Sequence, residues 1–165
     1  MITVNSITED SWQLWRALRL AALSESPQAF RSTLAEWSGV NDQESRWRNR
    51  LKNSALSVLA FDGHLPVGMA ACTPAEQGVS EIVSMWVDPH YRGHGVGNKL
   101  LEAVTQWATN SQQIKHLILH VKSNNLRAKE LYIRAGFLEP GSALWDQYQC
   151  EGEVTMIKQI DINAT

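Results

Sequence analysis

The stretch Val87-Asp88-Pro89-His90-Tyr91-Arg92-Gly93-His94-Gly95-Val96-Gly97 constrains this chain more than any other. An apolar run ends at Val87, a turn follows, and glycines stand at alternate positions 93, 95 and 97. Val96, Leu100, Leu101, Ala103, Val104 and Trp107 then recur at helical spacing. A strand therefore feeds a bare-backbone loop that opens onto a helix N-terminus. Such a loop can aim several N–H groups at one anion, and the helix dipole adds about half a positive charge. Glycine lets a ligand approach the backbone and admits φ > 0. The stretch predicts a bound phosphate or pyrophosphate.

At 165 residues the chain has the length of a single domain, residues 1–165, with one sizeable core. Its 44% apolar and 19% charged residues are ordinary for a soluble globular protein. A net charge of −2 offers no basic footprint for nucleic acid. Cys72 and Cys150 lie far apart and outside any C-x-x-C motif, which fits a reducing cytoplasm better than a disulfide framework. The N-terminus, Met1-Ile2-Thr3-Val4-Asn5, lacks a charged region leading into an apolar one, and no apolar run reaches about 18 residues. Neither export nor a membrane is expected.

Ile2, Val4 and Ile7 predict a short first strand. Leu14, Trp15, Leu18, Ala21 and Ala22 predict a helix that Ser26-Pro27 ends. Residues 29–41 carry no clear period, and 43–52 are polar but compatible with a helix. Two strands, 55–61 and 66–73, flank the turn Asp62-Gly63, and a third spans 79–87. After the glycine loop, a helix to about Asn110 and a strand at 116–121 are predicted. A second helix follows, with Asn124-Asn125 as its N-cap and Gly136 as its stop. The tail predicts two strands, 144–150 and 153–162, joined at Glu151-Gly152. Antiparallel runs mixed with one βαβ unit point to an α+β, mixed α/β fold rather than a doubly wound one.

Two familiar phosphate ligands fail on residue type. A P-loop needs a hydroxyl after its lysine to hold Mg²⁺, and Lys99 is followed by Leu100. A dinucleotide fold needs G-x-G-x-x-G and an acid at the end of the next strand. The loop reads G-x-G-x-G, and His116-Leu117-Ile118-Leu119-His120-Val121 has no acid.

A third ligand is named by resemblance. Arg92-Gly93-His94-Gly95-Val96-Gly97 resembles the R/Q-x-x-G-x-G/A motif of the GNAT N-acetyltransferase superfamily, and Val87-Asp88-Pro89 resembles the V-x-P that leads into it. Residues 125–137, from Asn125 through Ala128, Leu131 and Tyr132 to Gly136-Phe137, are similar to that family's N-x-x-A-x-x-L-Y-x-x-x-G-F. The two motifs stand in the family's order and cover residues 79–139. The resemblance implies a GNAT-like acyl-CoA N-acyltransferase fold: a mixed, largely antiparallel, splayed β-sheet flanked by about four helices. It implies acetyl-CoA as co-substrate, no metal, and transfer of an acetyl group to a primary amine by direct attack in a ternary complex.

Residue by residue, the resemblance assigns the CoA pyrophosphate to Arg92, Gly93, His94, Gly95, Val96, Gly97 and Asn98. Met85, Trp86 and Val87 would pair their backbone with the pantetheine arm like an added strand, where the sheet splays at a bulge. Asn125 would either bond the cofactor or only cap its helix. Arg127 and Arg92 would face the 3′-phosphate, whereas Lys129 fits a solvated face better.

Tyr132 matches the tyrosine that contacts the sulfur and is assigned general acid, although it also belongs to an apolar stripe. The transfer needs a neutral amine, hence a base or a water chain, and a donor for the developing oxyanion, with the N–H near Val87 the natural one. Glu81 is the candidate base. Period two places it on the side of Val83, Met85 and Val87, and burial would raise its pKa toward useful strength. Ordered water is the alternative.

His116 and His120 lie about 13 Å apart along a strand, too far to share a metal, and His90 and His94 lack a third ligand. Cys72 fits a small core residue better than a nucleophile, and Trp37 and Trp47 fit core packing better than an acceptor pocket. A small-molecule amine is the expected acceptor, with no nucleic acid or membrane as partner, and a homodimer is common in the family. A protein N-terminal or lysine acetyltransferase and a non-catalytic acyl-CoA-binding module are the alternatives.

Overall fold

A computed structural model describes residues 1–141 and 143–161. The strands are β1 (Ile2–Ser6), β2 (Leu56–Asp62), β3 (Leu65–Cys72), β4 (Val79–Val87), β5 (His116–Lys122) and β6 (Glu153–Gln159). The helices are α1 (Trp12–Glu25), the single turn α2 (Leu34–Trp37), α3 (Glu44–Asn53), α4 (Val96–Asn110) and α5 (Leu126–Arg134). The sheet has six strands in chain order, β1-β2-β3-β4-β5-β6. Every neighbouring pair is antiparallel except β4 and β5, which α4 joins as a parallel βαβ unit. This is the expected mixed, largely antiparallel fold. No helix among the described residues is long and apolar enough to cross a membrane.

Each face of the sheet buries its own core. Strand side chains alternate between faces, so one set meets α4 and α5 and the other meets α1 and α3. On the first face Val67, Cys72, Ile82, Leu117 and Leu119 pack with Leu100, Leu101 and Val104 of α4 and Phe137. On the second, Leu59, Met69, Ala71 and Trp86 pack with Trp15, Leu18 and Ala22 of α1 and Trp47 and Leu51 of α3. Leu14 and Ala21 of α1 turn outward; the buried stripe is instead Trp15, Leu18, Arg19, Ala22 and Leu23. Trp37 lies 4.6 Å from Trp47, ring centre to ring centre, and Trp47 donates to Asp42 Oδ1 at 2.8 Å. Asp42 also receives the guanidinium of Arg16, so α1 and α3 are tied together beneath the tryptophans.

Two features position the site. First, β4 carries an extra residue: Ala71 faces Val83 while Met69 faces Trp86, and Ser84 takes φ 57°. This β-bulge bends and twists the strand. Second, β4 pairs with β5 only from Val79 to Glu81, whereas β5 continues beside β6 to Lys122. Beyond Glu81 the strands part, and a wedge opens between them.

The tail differs from the expectation. Only Glu153–Gln159 forms a strand; residues 143–148 wind into 3₁₀ turns instead of a strand. Residue 162 of the predicted final strand lies outside the described residues. Thr155 receives the chain instead, its hydroxyl donating to Tyr148 O at 2.9 Å. Residues 29–41, where no period showed, are short turns around α2.

Candidate active site

The glycine loop presents a run of backbone amides unpaired among the described residues. Asp88 accepts from the His90 N–H at 2.8 Å and starts a 3₁₀ turn. The backbone then passes through Gly93 and Gly95 at φ 82° and 81°, a region L side chains avoid. Gly97 differs: its backbone is ordinary helix, and a Cβ there would lie 2.9 Å from the flexible end of Leu131, Cδ2, on α5. Among the described residues, the N–H groups of 93–98 donate to no backbone carbonyl or side chain. Those of Val96, Gly97 and Asn98 are the orphan donors of the first turn of α4. Orphaned amides at a helix N-terminus are the chemistry a pyrophosphate requires.

Arg92 is tied down rather than free. Its Nε donates to Val87 O at 2.9 Å, and its two Nη groups reach Glu25 Oε1 and Oε2 at 3.1 and 2.9 Å. Trp86 Nε1 donates to the same carboxylate at 3.0 Å. The Arg92 guanidinium, together with Ser26 and Trp86, holds Glu25 down at about 2. Arg92 thus fastens the loop to the end of α1. Arg127 stands closer to the cradle opening, its Nη2 3.7 Å from where a Gly93 Cβ would lie.

A cleft of about 590 Å³ runs from this loop through the wedge between β4 and β5. It is lined by Gly93, Gly95, Val96, Gly97 and Asn98, by Met85, Trp86 and Val87, and by Asn125, Arg127 and Tyr132. His94 is exposed and contributes no lining side chain. Asn125 caps α5, its Oδ1 accepting from the Ala128 N–H at 3.2 Å. Lys129 pairs with Glu139 at 3.3 Å on the outer surface. The β5-facing backbone edge of 83–87 has lost its partner strand, which leaves room for an extended ligand to pair there.

The bulge at Ser84 overturns one expectation. Alternation along β4 placed Glu81 on the side of Val83, Met85 and Val87. Glu81 does share a face with Val83, toward α1 and α3, but Met85 and Val87 pack on the opposite core toward α4. One extra residue inverts the alternation of everything beyond it. Tyr132, from α5, belongs to the α4 side, where its ring meets Phe137 edge-on at 6.1 Å. Burial pushes its phenol up to about 12, so it is protonated at neutral pH. Glu81 and Tyr132 therefore approach the wedge from opposite faces of the sheet.

His120, considered above only as a metal ligand, also lines the cleft, with 8% of its side chain exposed. Its Nε2 lies 3.6 Å from Glu81 Oε1 and its Nδ1 3.0 Å from Thr155 Oγ1. The Thr155 proton goes to Tyr148 O, so the hydroxyl accepts from Nδ1–H, and Nε2 is left to take up a proton. His120, Cys150 and Glu153 also bring their donor atoms within 4.8 Å of one another, a grouping that spacing along the chain could not reveal. Glu153 is already engaged by Lys122 at 3.3 Å and by Arg31 at 3.4 Å. Cys72 is fully buried, and burial pushes its thiol up to about 12, as befits a core residue.

Residues 12–137 match the model of the acetyltransferase (GNAT) family. A bacterial chain from Streptococcus pneumoniae, an acetyltransferase of that family, superposes with a TM-score of 0.79 at 19% identity, covering 98% of this chain and 100% of its own. The YncA protein of Salmonella typhimurium, solved with acetyl-CoA as its cofactor, superposes at 0.73 with 16% identity, covering 100% of this chain and 97% of its own. Among curated relatives, a probable spermine N(1)-acetyltransferase of Bacillus subtilis subsp. natto is 33% identical over 75 residues. That match covers 46% of this chain and 46% of the relative's own length. With the splayed sheet and the amide cradle already described, the chain belongs to the GNAT acetyltransferase family.

Proposed function

We propose that the protein transfers an acetyl group from acetyl-CoA to the primary amine of a small molecule, by direct attack in a ternary complex. The observation that carries this is the alignment of the orphaned amides at 93–98 with the unpaired edge of β4, along one cleft. The amides of 93–98 would hold the pyrophosphate, with Arg127 beside them at the loop. The backbone of 85–87 would hold the pantetheine arm, and a free N–H there would stabilise the oxyanion. When bound, acetyl-CoA supplies an acyl group activated as a thioester.

Glu81 accepts the amine's proton, directly or through water, from the α1 side of the wedge. His120 Nε2 stands behind it as the next proton acceptor. Tyr132 delivers a proton to the departing sulfur from the α5 side; its high pKa keeps that proton available. The placement of acid and base on opposite faces supports this division, because the acyl carbon then lies between them. The test is calorimetry with acetyl-CoA and CoA, followed by a thiol-release assay over an amine library. Micromolar binding and amine-dependent thiol release are expected; no binding at millimolar ligand rules the reading out.

A further inference from the structure

The α1 side of the cleft holds two arginines that no acid among the described residues pairs with. Arg19 sits in the buried stripe of α1 with 6% exposure, and its Nη1 has no hydrogen-bond partner. Its guanidinium lies over the Phe30 ring at 4.6 Å, which fixes its plane without neutralising its charge. Arg50 of α3 reaches the same cleft and, among the described residues, donates only to Ser84 Oγ at 3.2 Å, at the bulge. No carboxylate among the described residues pairs with either one. Of the acids lining the cleft, Glu153 is engaged by Lys122 and Arg31, while Glu81 stands beside His120 and forms no ion pair with either arginine. Burial, with the neighbouring Arg50, pulls Arg19 down to about 10, so it still carries its charge at neutral pH.

A buried guanidinium beside a half-buried one, neither paired with a carboxylate, is costly because each charge is drawn from water without a counter-charge. Such a pair is a site that an anion completes: planar forks match a carboxylate with paired N–H bonds. Glu81 stands on the same face of the sheet, where an ammonium would be neutralised and deprotonated. Resting on the transferase reading above, we propose that the acceptor is an amine that also bears a carboxylate, seated between Arg19 and Arg50 while Glu81 receives its amino group. A polyamine is disfavoured, because it would bring further cations against these two.

The test compares free amino acids with their carboxamides, and with spermidine, in the thiol-release assay, alongside calorimetry with acetyl-CoA. The acids are expected to exceed their amides by about 100-fold in kcat/KM, as loss of charge-assisted bonds to this pair requires. Arg50→Gln is expected to raise KM for the acids by a similar factor and that for the amides by much less, so that the acid-to-amide preference collapses; an unchanged preference would overturn the assignment. Arg50→Lys should recover only part, because an ammonium lacks the fork. Arg19 is deep in the core, so Arg19→Gln is read together with its melting temperature; the substrate series needs no variant at all. Amides or spermidine used as well as the acids would overturn the acceptor assignment and leave the transferase standing. Acetyl-CoA binding with no amine acetylated would overturn the transferase reading, and the acceptor assignment with it.

Discussion

His120 Nε2 lies 3.6 Å from Glu81 Oε1 at the point where β4 and β5 part. Neighbouring strands bring the two together: Glu81 faces Ile118 in the parallel register, and His120 is two residues further along the same face of β5. The pair stands on the α1 side of the wedge, where, in the transfer proposed above, the proton of the acceptor amine would meet it first.

Replacing Glu81 by Gln keeps its size and removes its basicity. A fall in kcat of about 10²–10³-fold is expected, partly recovered as pH rises and the free amine accumulates. His120→Asn should cost less, about tenfold, and the double variant should be little worse than Glu81→Gln alone, because residues in one relay are not additive. The pH–rate profiles of the three variants check this; full additivity would separate His120 from the relay.

Tyr132→Phe deletes one hydroxyl from a buried ring. Turnover should drop by about 10²-fold, with CoA affinity and melting temperature nearly unchanged. With its phenol pushed up to about 12, Tyr132 contributes no alkaline fall in rate below pH 10. Wild-type turnover in Tyr132→Phe would remove the acid role.

Gly95→Ala and Gly97→Ala separate conformation from contact. At Gly95 nothing lies within 4 Å of an added Cβ, but φ is +81°, so the cost is backbone strain of about 1 kcal/mol. The amides would turn from a common target, and CoA affinity is expected to fall at least tenfold. At Gly97 the obstacle is the flexible end of Leu131 at 2.9 Å, which can turn aside, and the backbone is ordinary helix. A stability change within about 1 kcal/mol, and a CoA affinity closer to the parent's than that of Gly95→Ala, are expected. Calorimetry and thermal melts distinguish the two.

Glu25 makes the loop sensitive to acid. Arg92 holds its carboxylate at about 2, against 4.5 for a free one. A carboxyl depressed on folding stabilises the native state above its unfolded pKa and loses that contribution as pH falls through the folded value. The window is therefore pH 4.5 down to about 2. About a third of the Glu25 side chain is exposed, and solvent screening reduces the effect. In thermal melts across this window, Glu25→Gln should lose less stability on acidification than the parent. Equal slopes would mean that the Arg92 contact contributes nothing to folding.

The motif residues were legible because their roles are local. A cradle of amides depends on the φ values of consecutive residues, and the α5 stripe depends on a period of 3.6. Gly93 to Gly97, Asn125 as a cap and Tyr132 on its helix face need no knowledge of the rest of the chain. Arg19 left a trace, a charge between Trp15 and Ala22 in an apolar stripe, but Arg50 left none in its polar helix. The tail misled because 144–150 is apolar enough for a strand, while its backbone closes local turns, Gln149 N–H donating to Asp146 O at 3.1 Å, and so adopts 3₁₀ structure instead.

Sequence alone determined that a strand, a glycine loop and a helix would follow one another, and the two motifs pointed to the family. Tertiary structure decided which groups line the wedge between β4 and β5. A single extra residue at Ser84 turns Met85 and Val87 to one face and leaves Glu81 on the other. The partnership of Glu81 with His120, and of Arg19 with Arg50, depends on which strands and helices are neighbours. Local periodicity records the face a residue prefers; it does not record what the rest of the chain places opposite that face.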